Sequence, residues 1–222
     1  MWPRGMCGEL MSVSVYPLLA SGVFGTFGYF VVDDESQHAL LIDPGAQPQL
    51  FEQAAAEKGW TVEKILLTHG HFDHFGAADA LRQAWGAEVY ASRISPRYLE
   101  DPRLNLSAEH GMRLTLQGTK SLEEGDQIAI DVAPGVTLSV LHVPGHTEDS
   151  LVYVLDGAGV AFVGDVVYEG GPGLTVFPTG NGPELAQSIR DKVLVLPEET
   201  ALLSGHSQAI TVADLKHVMG VR

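Results

Sequence analysis

The stretch LLTHGHFDHFGA, residues 66–77, sets His69, His71, Asp73 and His74 within six consecutive positions. An imidazole nitrogen or a carboxylate oxygen is a good ligand for a borderline divalent metal. In an extended loop, residues i and i+2 point the same way, so His69 and His71 can grip one ion. Asp73 and His74 come at the turn into an alanine-rich helical stretch and face a different direction. That arrangement suggests two ions side by side, and four ligands do not fill two sites. The remaining candidates are His146 in HVPGHT, Asp165 in FVGDVVY and His206 in LLSGHS. Taken singly, each has a plain reading, a solvated histidine or a Gly-Asp turn. Beside the HxHxDH string they are expected to complete the ligand set.

Each of these residues follows an apolar run: His69 after KILLT, His146 after LSVLHVPG, Asp165 after VAFVG and His206 after ALLSG. Outward from them, the pattern predicts strands at 13–16, 29–32, 39–42, 64–69 and 87–91 and helices at 49–58 and 77–85, the last two closed by Gly59 and Gly86. From residue 127 on it predicts strands at 127–130, 137–142, 150–155, 160–163 and from 201 into Gly205-His206. Helices are expected at 183–196, with Pro183 in its first turn, and at 212–219. Alternating strand and helix followed by a strand-rich half is the pattern of a layered α/β domain. Four strand ends on one rim can converge on one site, as loops do when a rigid sheet positions them.

The 222 residues are 45% hydrophobic and 18% charged, enough to bury a core and inconsistent with disorder. Acidic residues outnumber basic ones 28 to 13, for a formal charge of −15. Nucleic acid and anionic membrane both need a basic footprint, so neither is expected as a partner, and a small-molecule substrate is. Cys7 is the single cysteine, which suits a reducing compartment, and a cytoplasmic location is expected. The N-terminus MWPRGMCGEL has no apolar core of a signal peptide. Residues 1–10 read as a leader, with Met11 as a plausible start and 11–222 as the domain. The apolar stretch 13–32 is broken by Pro17, Gly22, Gly25 and Gly28 and reads as strands and turns.

THGHFDH, VPGHT, FVGD and SGH, in that order, resemble the metal-binding motifs of the metallo-β-lactamase superfamily, nearest to its glyoxalase II-like (hydroxyacylglutathione hydrolase-like) branch. The resemblance runs from about residue 12 to 212 and includes LLIDPG, residues 40–45, and PELAQSIRDKVLVLPEET, residues 183–200. It implies a single-domain, four-layer αβ/βα sandwich with metals on one edge of the β-layers. Carried over, it puts His69, His71 and His146 on a first metal and Asp73, His74 and His206 on a second. Asp165 bridges the two, with room for a bridging hydroxide, and Asp43 supports the site without binding metal. Zinc is the ion expected, with iron or manganese as alternatives. The implied reaction is hydrolysis of a thioester, a lactone or, least favoured, a lactam, with Asp73, Asp165 and Tyr168 as the catalytic candidates.

Several features depart from that pattern. The sequence runs sixteen residues beyond His206, where glyoxalase II enzymes continue into a helical domain that helps bind glutathione. The segment EGGPGLTVFPTGN holds no basic residue between Asp165 and Arg190, so a glutathione carboxylate would lack a lysine partner. Ser207 stands where many relatives have glycine and is expected to narrow the backbone approach there. Tyr168 stands where glyoxalase II-like proteins often carry Phe, and some lactonases place a tyrosine nearby to donate to substrate; a packed aromatic is the plain reading. His142 is expected as buried support beside VPGH, and His38, His110 and His217 as solvated. A lactamase of the class with a cysteine ligand needs Cys where Asp165 stands. Competing readings are an iron-dependent persulfide dioxygenase, a lactonase, and a metal-holding protein without catalysis.

Overall fold

A computed structural model describes residues 13–130 and 137–221. The expected leader, Met11 and Cys7 lie outside the described residues. The chain opens with a hairpin, β1 (Val13–Ser21) and β2 (Gly25–Asp33), followed by β3 (His38–Ile42) and helix α1 (Pro48–Lys58). Strand β4 (Thr61–Leu66) leads into the short helix α2 (Phe72–Phe75), helix α3 (Ala78–Trp85), strand β5 (Glu88–Ser92), helix α4 (Pro96–Leu99) and strand β6 (Lys120–Leu122). The second half carries β7 (Gln127–Ala129), β8 (Thr137–His142), β9 (Leu151–Leu155), β10 (Val160–Gly164) and the small ladder β11 (Val167–Tyr168) and β12 (Gly171–Pro172). It closes with α5 (Gly182–Ser188), β13 (Ala201–Ser204), β14 (Ile210–Thr211) and α6 (Val212–Val218).

Two six-stranded sheets form, in the orders β1-β2-β3-β4-β5-β6 and β14-β13-β10-β9-β8-β7. Side chains alternate along a strand, and here that alternation builds three apolar layers. On β2 and β3, Phe30, Val32, Ala39 and Leu41 face Phe51, Ala55, Ala78 and Leu81 of α1 and α3. Their neighbours Tyr29, Val31, Leu40 and Ile42 face Leu138, Val140, Leu151, Tyr153 and Phe162 of the second sheet. The outer side of that sheet, with Val152, Ala161, Val163 and Leu202, packs on Leu185, Ile189, Val212 and Leu215. Helix, sheet, sheet, helix is the single-domain, four-layer α/β sandwich expected. Strands buried on both faces read as unbroken apolar runs, as ILL and VAFV do.

The differences from the sequence reading are local. The hairpin strands are twice as long as the runs 13–16 and 29–32, because residue-by-residue pairing from Val13↔Asp33 to Ser21↔Gly25 carries the ladder across Pro17 and the glycines. Pro17 is tolerated because β1 is an edge strand. The strand expected at 64–69 ends at Leu66, after which the chain swings into the site. The helix expected at 183–196 is α5 plus a π-helical turn, Ile189–Val193, in which Leu194 N bonds Ile189 O at 2.9 Å. Pro197 disfavours helical backbone at the residue before it. Strands β6, β11 and β12 and helix α4 have four residues or fewer, too short to show a period.

Strands β3 and β4 run parallel, as do β10 and β13. Strand β8 is antiparallel to β9, and β9 to β10, so β8 and β10 point the same way. The C-terminal ends of β3, β4, β8, β10 and β13 deliver Asp43, His69, His146, Asp165 and His206 to one edge of the sandwich.

Candidate metal centre

All seven expected ligands, His69, His71, Asp73, His74, His146, Asp165 and His206, meet at that edge. Their ligand atoms form three overlapping groups: His69, His71 and His146; His69, His74 and Asp165; and Asp73, His74 and His206. His71 Nδ1 lies 3.0 Å from His69 Nε2 and 3.1 Å from His146 Nε2. His74 Nε2 lies 3.3 Å from both His206 Nε2 and Asp165 Oδ1. Asp73 Oδ2 is 3.1 Å from His206 Nε2, and Asp165 Oδ2 is 3.4 Å from His206 Nε2 and 3.7 Å from His146 Nε2. A tetrahedral ion with bonds of about 2.0–2.1 Å sets its ligand atoms roughly 3.3 Å apart, so these spacings fit cations held between the groups. The buried Asp165 Oδ1 has no hydrogen-bond partner, another mark of a site shaped for an ion.

The far side of most rings is anchored. Asp43 Oδ2 takes the His74 Nδ1 contact at 2.8 Å, Leu174 O takes His146 Nδ1 at 2.6 Å, and Gly25 O takes His206 Nδ1 at 2.9 Å. His69 Nδ1 meets Thr68 Oγ1 at 3.1 Å. With the proton on Nδ1, each of these rings turns a bare Nε2 toward the cluster, which is how outer partners fix a ligand's tautomer. Asp43 also accepts from Thr68 N at 2.8 Å and Thr68 Oγ1 at 2.6 Å. It therefore supports the site from the end of β3, as the resemblance implies.

The electrostatics divide the cluster. Burial, reinforced by neighbouring imidazoles, holds His69 well below its ordinary pKa and His71 down at about 3; burial also lowers His146. These three are neutral ligands-in-waiting. Burial opposes charge on His74 and His206 too, but Asp165, Asp43 and Asp73 outweigh it at His74, and Asp165 and Asp73 raise His206 to about 10. Asp165 resists its own burial through His74 and sits well below the carboxylate range. The carboxylates thus favour positive charge at the Asp73, His74 and His206 end of the cluster.

Gly205 shows why SGH needs its glycine. A Cβ there would sit 2.4 Å from His74 Cε1 and 2.8 Å from Asp165 Oδ1. The Ser207 hydroxyl accepts from Glu169 N at 3.0 Å and meets Ser204 Oγ at 2.8 Å, tying the His206 loop to the segment that carries Tyr168. The half-buried Tyr168 places its ring 6.2 Å from that of His206. Burial and the charge of Asp165 keep it protonated.

The other histidines sit away from the cluster. His142, half-buried rather than buried, contacts Glu148 O through Nε2 at 2.7 Å. His38 pairs with Glu63 at 2.7 Å, and His217 is exposed. His110 is exposed but not merely solvated, since its ring meets Phe24 edge-on at 5.2 Å. Sequence reasoning missed Phe177, whose ring stands 5.4 Å from His71, and Asp149. The Asp149 carboxyl is fully buried, accepts from Ser95 Oγ at 2.7 Å, and is pushed up to about 6 by burial. An acidic residue in HTEDS, beside a candidate ligand, was the available signal.

The sequence profile described as the metallo-β-lactamase superfamily matches residues 21–206. The chain belongs to the metallo-β-lactamase superfamily. The probable metallo-hydrolase YqgX of Bacillus subtilis (strain 168) is 39% identical over 179 residues, covering 80% of this chain and 83% of the relative. The hydroxyacylglutathione hydrolase GloC of Haemophilus influenzae is 32% identical over 213 residues, covering 93% and 95%. The crystal structure of the BLEG-1 B3 metallo-β-lactamase superposes with a TM-score of 0.85 at 31% identity, covering 92% of this chain and 97% of that one. Superfamily membership and these relatives make the chain a metal-dependent, hydrolase-like member of the superfamily, and its His/Asp cluster fits a divalent-metal site.

Proposed function

We propose that the chain is a dinuclear metal-dependent hydrolase of a small thioester or related ester. The observation that carries this reading is the overlap of three ligand groups through His69 and His74, with Asp165 in reach of both ends of the cluster. His69, His71 and His146 would hold one ion and Asp73, His74 and His206 the other, with Asp165 as a ligand available to both. Zinc suits the nitrogen-rich donor set, and iron or manganese can occupy it. When bound, such ions bring a water within reach of deprotonation near neutral pH and polarise the substrate carbonyl.

The protein's own groups do the rest. Asp73 and Asp165 are the carboxylates at the reacting centre; Thr26 Oγ1 steadies Asp73 Oδ2 at 3.3 Å. The protonated Tyr168 stands beside Asp165 as a donor for the carbonyl oxygen or the leaving group. Phe177 and Phe24 stand against the two sides of the cluster.

A second reading, an iron-dependent persulfide dioxygenase, draws on one observation. His69, His74 and Asp165 form a two-histidine, one-carboxylate group, the donor set of non-haem iron oxygenases. Elemental analysis of metal-replete protein, followed by thioesters, lactones, a β-lactam and a persulfide in an oxygen electrode, separates the two. Two ions per chain and thioester cleavage without oxygen uptake are expected. One ion per chain with oxygen consumption overturns the hydrolase reading.

A further inference from the structure

Beside the cluster, on the side of Asp73, lies a cleft of about 200 Å³. Four chain segments bound it: the β1–β2 turn at 22–24, the loop 45–47, the start of α2, and the segment 112–114. Its lining is apolar except for Gln47 at the rim and Asp73 at the inner end. No cationic side chain lines it among the described residues. Val23 and Phe24 are about half exposed although both are large and apolar, at 50% and 45%. The Phe24 ring leans on Phe72 at 6.0 Å and stands 6.5 Å from His206.

The walls are fixed rather than floppy. Gln47 Oε1 accepts from Ser21 N at 2.8 Å, which pins the loop to the hairpin. The fully buried Asn105 donates to Leu114 O at 2.9 Å, and Ser107 Oγ accepts from Leu114 N at 3.2 Å. Asn105 O also accepts from Phe72 N at 2.9 Å, so α2 and the 112–114 wall share one anchor. On the opposite side of the cluster, Leu174 and Val176 are 54% and 81% exposed. That side opens to solvent and has room for a bulky thiol carrier.

We infer that the cleft formed by Val23, Phe24, Ala46, Phe72, Met112 and Leu114 is an acyl-chain subsite that takes an unbranched apolar acyl group. This inference rests on the hydrolase reading above and names its substrate class. A carbonyl placed over the metal ligands leaves its two arms on opposite sides of the cluster. The walled, cation-free side beside Asp73 suits the apolar arm and repels an anionic one. An apolar cavity of about 150 Å³ holds a benzene ring, so this cleft takes a chain of about six carbons. Hydrolysis then adds water to the carbonyl carbon, breaks the C–S bond, and releases the thiol and the fatty acid.

Two chain-length series test the proposal. The first measures binding of alkyl hydroxamates, from acetyl through butanoyl and hexanoyl to octanoyl, to the metal-loaded protein by calorimetry, with no turnover involved. The second measures kcat/KM for the same acyl groups, and for succinyl, on N-acetylcysteamine, with S-alkyl thioacetates as the reverse series. Burial of a methylene at about 0.8 kcal/mol corresponds to roughly fourfold per carbon. Affinity and kcat/KM are expected to climb by that step to hexanoyl and then level or fall, with succinyl disfavoured. Met112→Trp, which fills the cleft, should cut the hexanoyl-to-acetyl ratio at least tenfold in the binding series. A flat hydroxamate series, no binding at any length, or a slope only in the thiol series overturns the subsite. A sloped hydroxamate series with no thioester cleaved keeps the subsite and overturns the hydrolase reading instead.

Discussion

Asp43→Asn tests whether the metal centre is organised from behind. Asp43 has φ of +50°, a conformation that Asn also adopts readily, so the backbone survives the change. Its carboxylate takes three contacts, from Thr68 N, Thr68 Oγ1 and His74 Nδ1. In the variant, the amide oxygen can still accept from Thr68, and the amide nitrogen then faces His74. That pairing survives only if His74 Nδ1 becomes the acceptor. The ring proton moves to Nε2, 3.3 Å from Asp165 Oδ1 and His206 Nε2, where it blocks ligation. Loss of such an outer partner typically costs about 10- to 100-fold in metal affinity. The lost charge-assisted bond costs the metal-free fold about 1–3 kcal/mol. Competition against a chromophoric chelator, with urea unfolding of the metal-free protein, reads both quantities. The second metal equivalent should weaken by that factor while the first, on His69, His71 and His146, stays close to wild type. Two equivalents at wild-type affinity would refute either the ligand role of His74 Nε2 or the control of its tautomer by Asp43.

Three further outcomes are expected. Asp165→Asn, which removes the negative charge shared by both halves of the cluster, should abolish turnover and lower metal content together, as read by elemental analysis beside a thioester assay. Tyr168→Phe should keep full metal content and lower kcat by about 10- to 1000-fold, the range of a lost transition-state donor; an unchanged kcat returns Tyr168 to a packing role. Metal removal should expose a pH optimum of stability near neutrality. His206, raised to about 10, favours the folded state fully below its unfolded pKa of about 6.5, and that contribution is lost as pH rises from there to 10. His71, lowered to about 3, works the other way, costing stability as pH falls from about 6.5 toward 3. Melting temperatures of the chelator-treated protein across pH 4–10 check this, and metal reloading should flatten the curve.

Much of the site was legible because its chemistry is carried by rare side-chain types at strand ends. The HxHxDH string announced a metal centre, and His146, Asp165 and His206 each followed an apolar run that the fold makes a strand. The layers were legible for a similar reason: strands buried on both faces, such as β4 and β10, leave unbroken apolar runs, and glycines such as Gly59 and Gly86 close helices. Short elements escaped, since β6, β11 and β12 do not span enough residues for a period to show.

What only the tertiary structure decided is which ordinary groups stand behind and beside the ligands. His146 and His206 are oriented by the carbonyl oxygens of Leu174 and Gly25, and every residue has a carbonyl, so no residue type marks them. Phe24, Phe72, Met112 and Leu114 are unremarkable apolar letters far apart in the chain. They become one cleft because the hairpin turn and the 112–114 segment close over α2. A sequence names the groups that can bind an ion, because that capacity belongs to the side chain. Tautomer, distance and cavity belong to the space between segments, which exists only once the two sheets have packed.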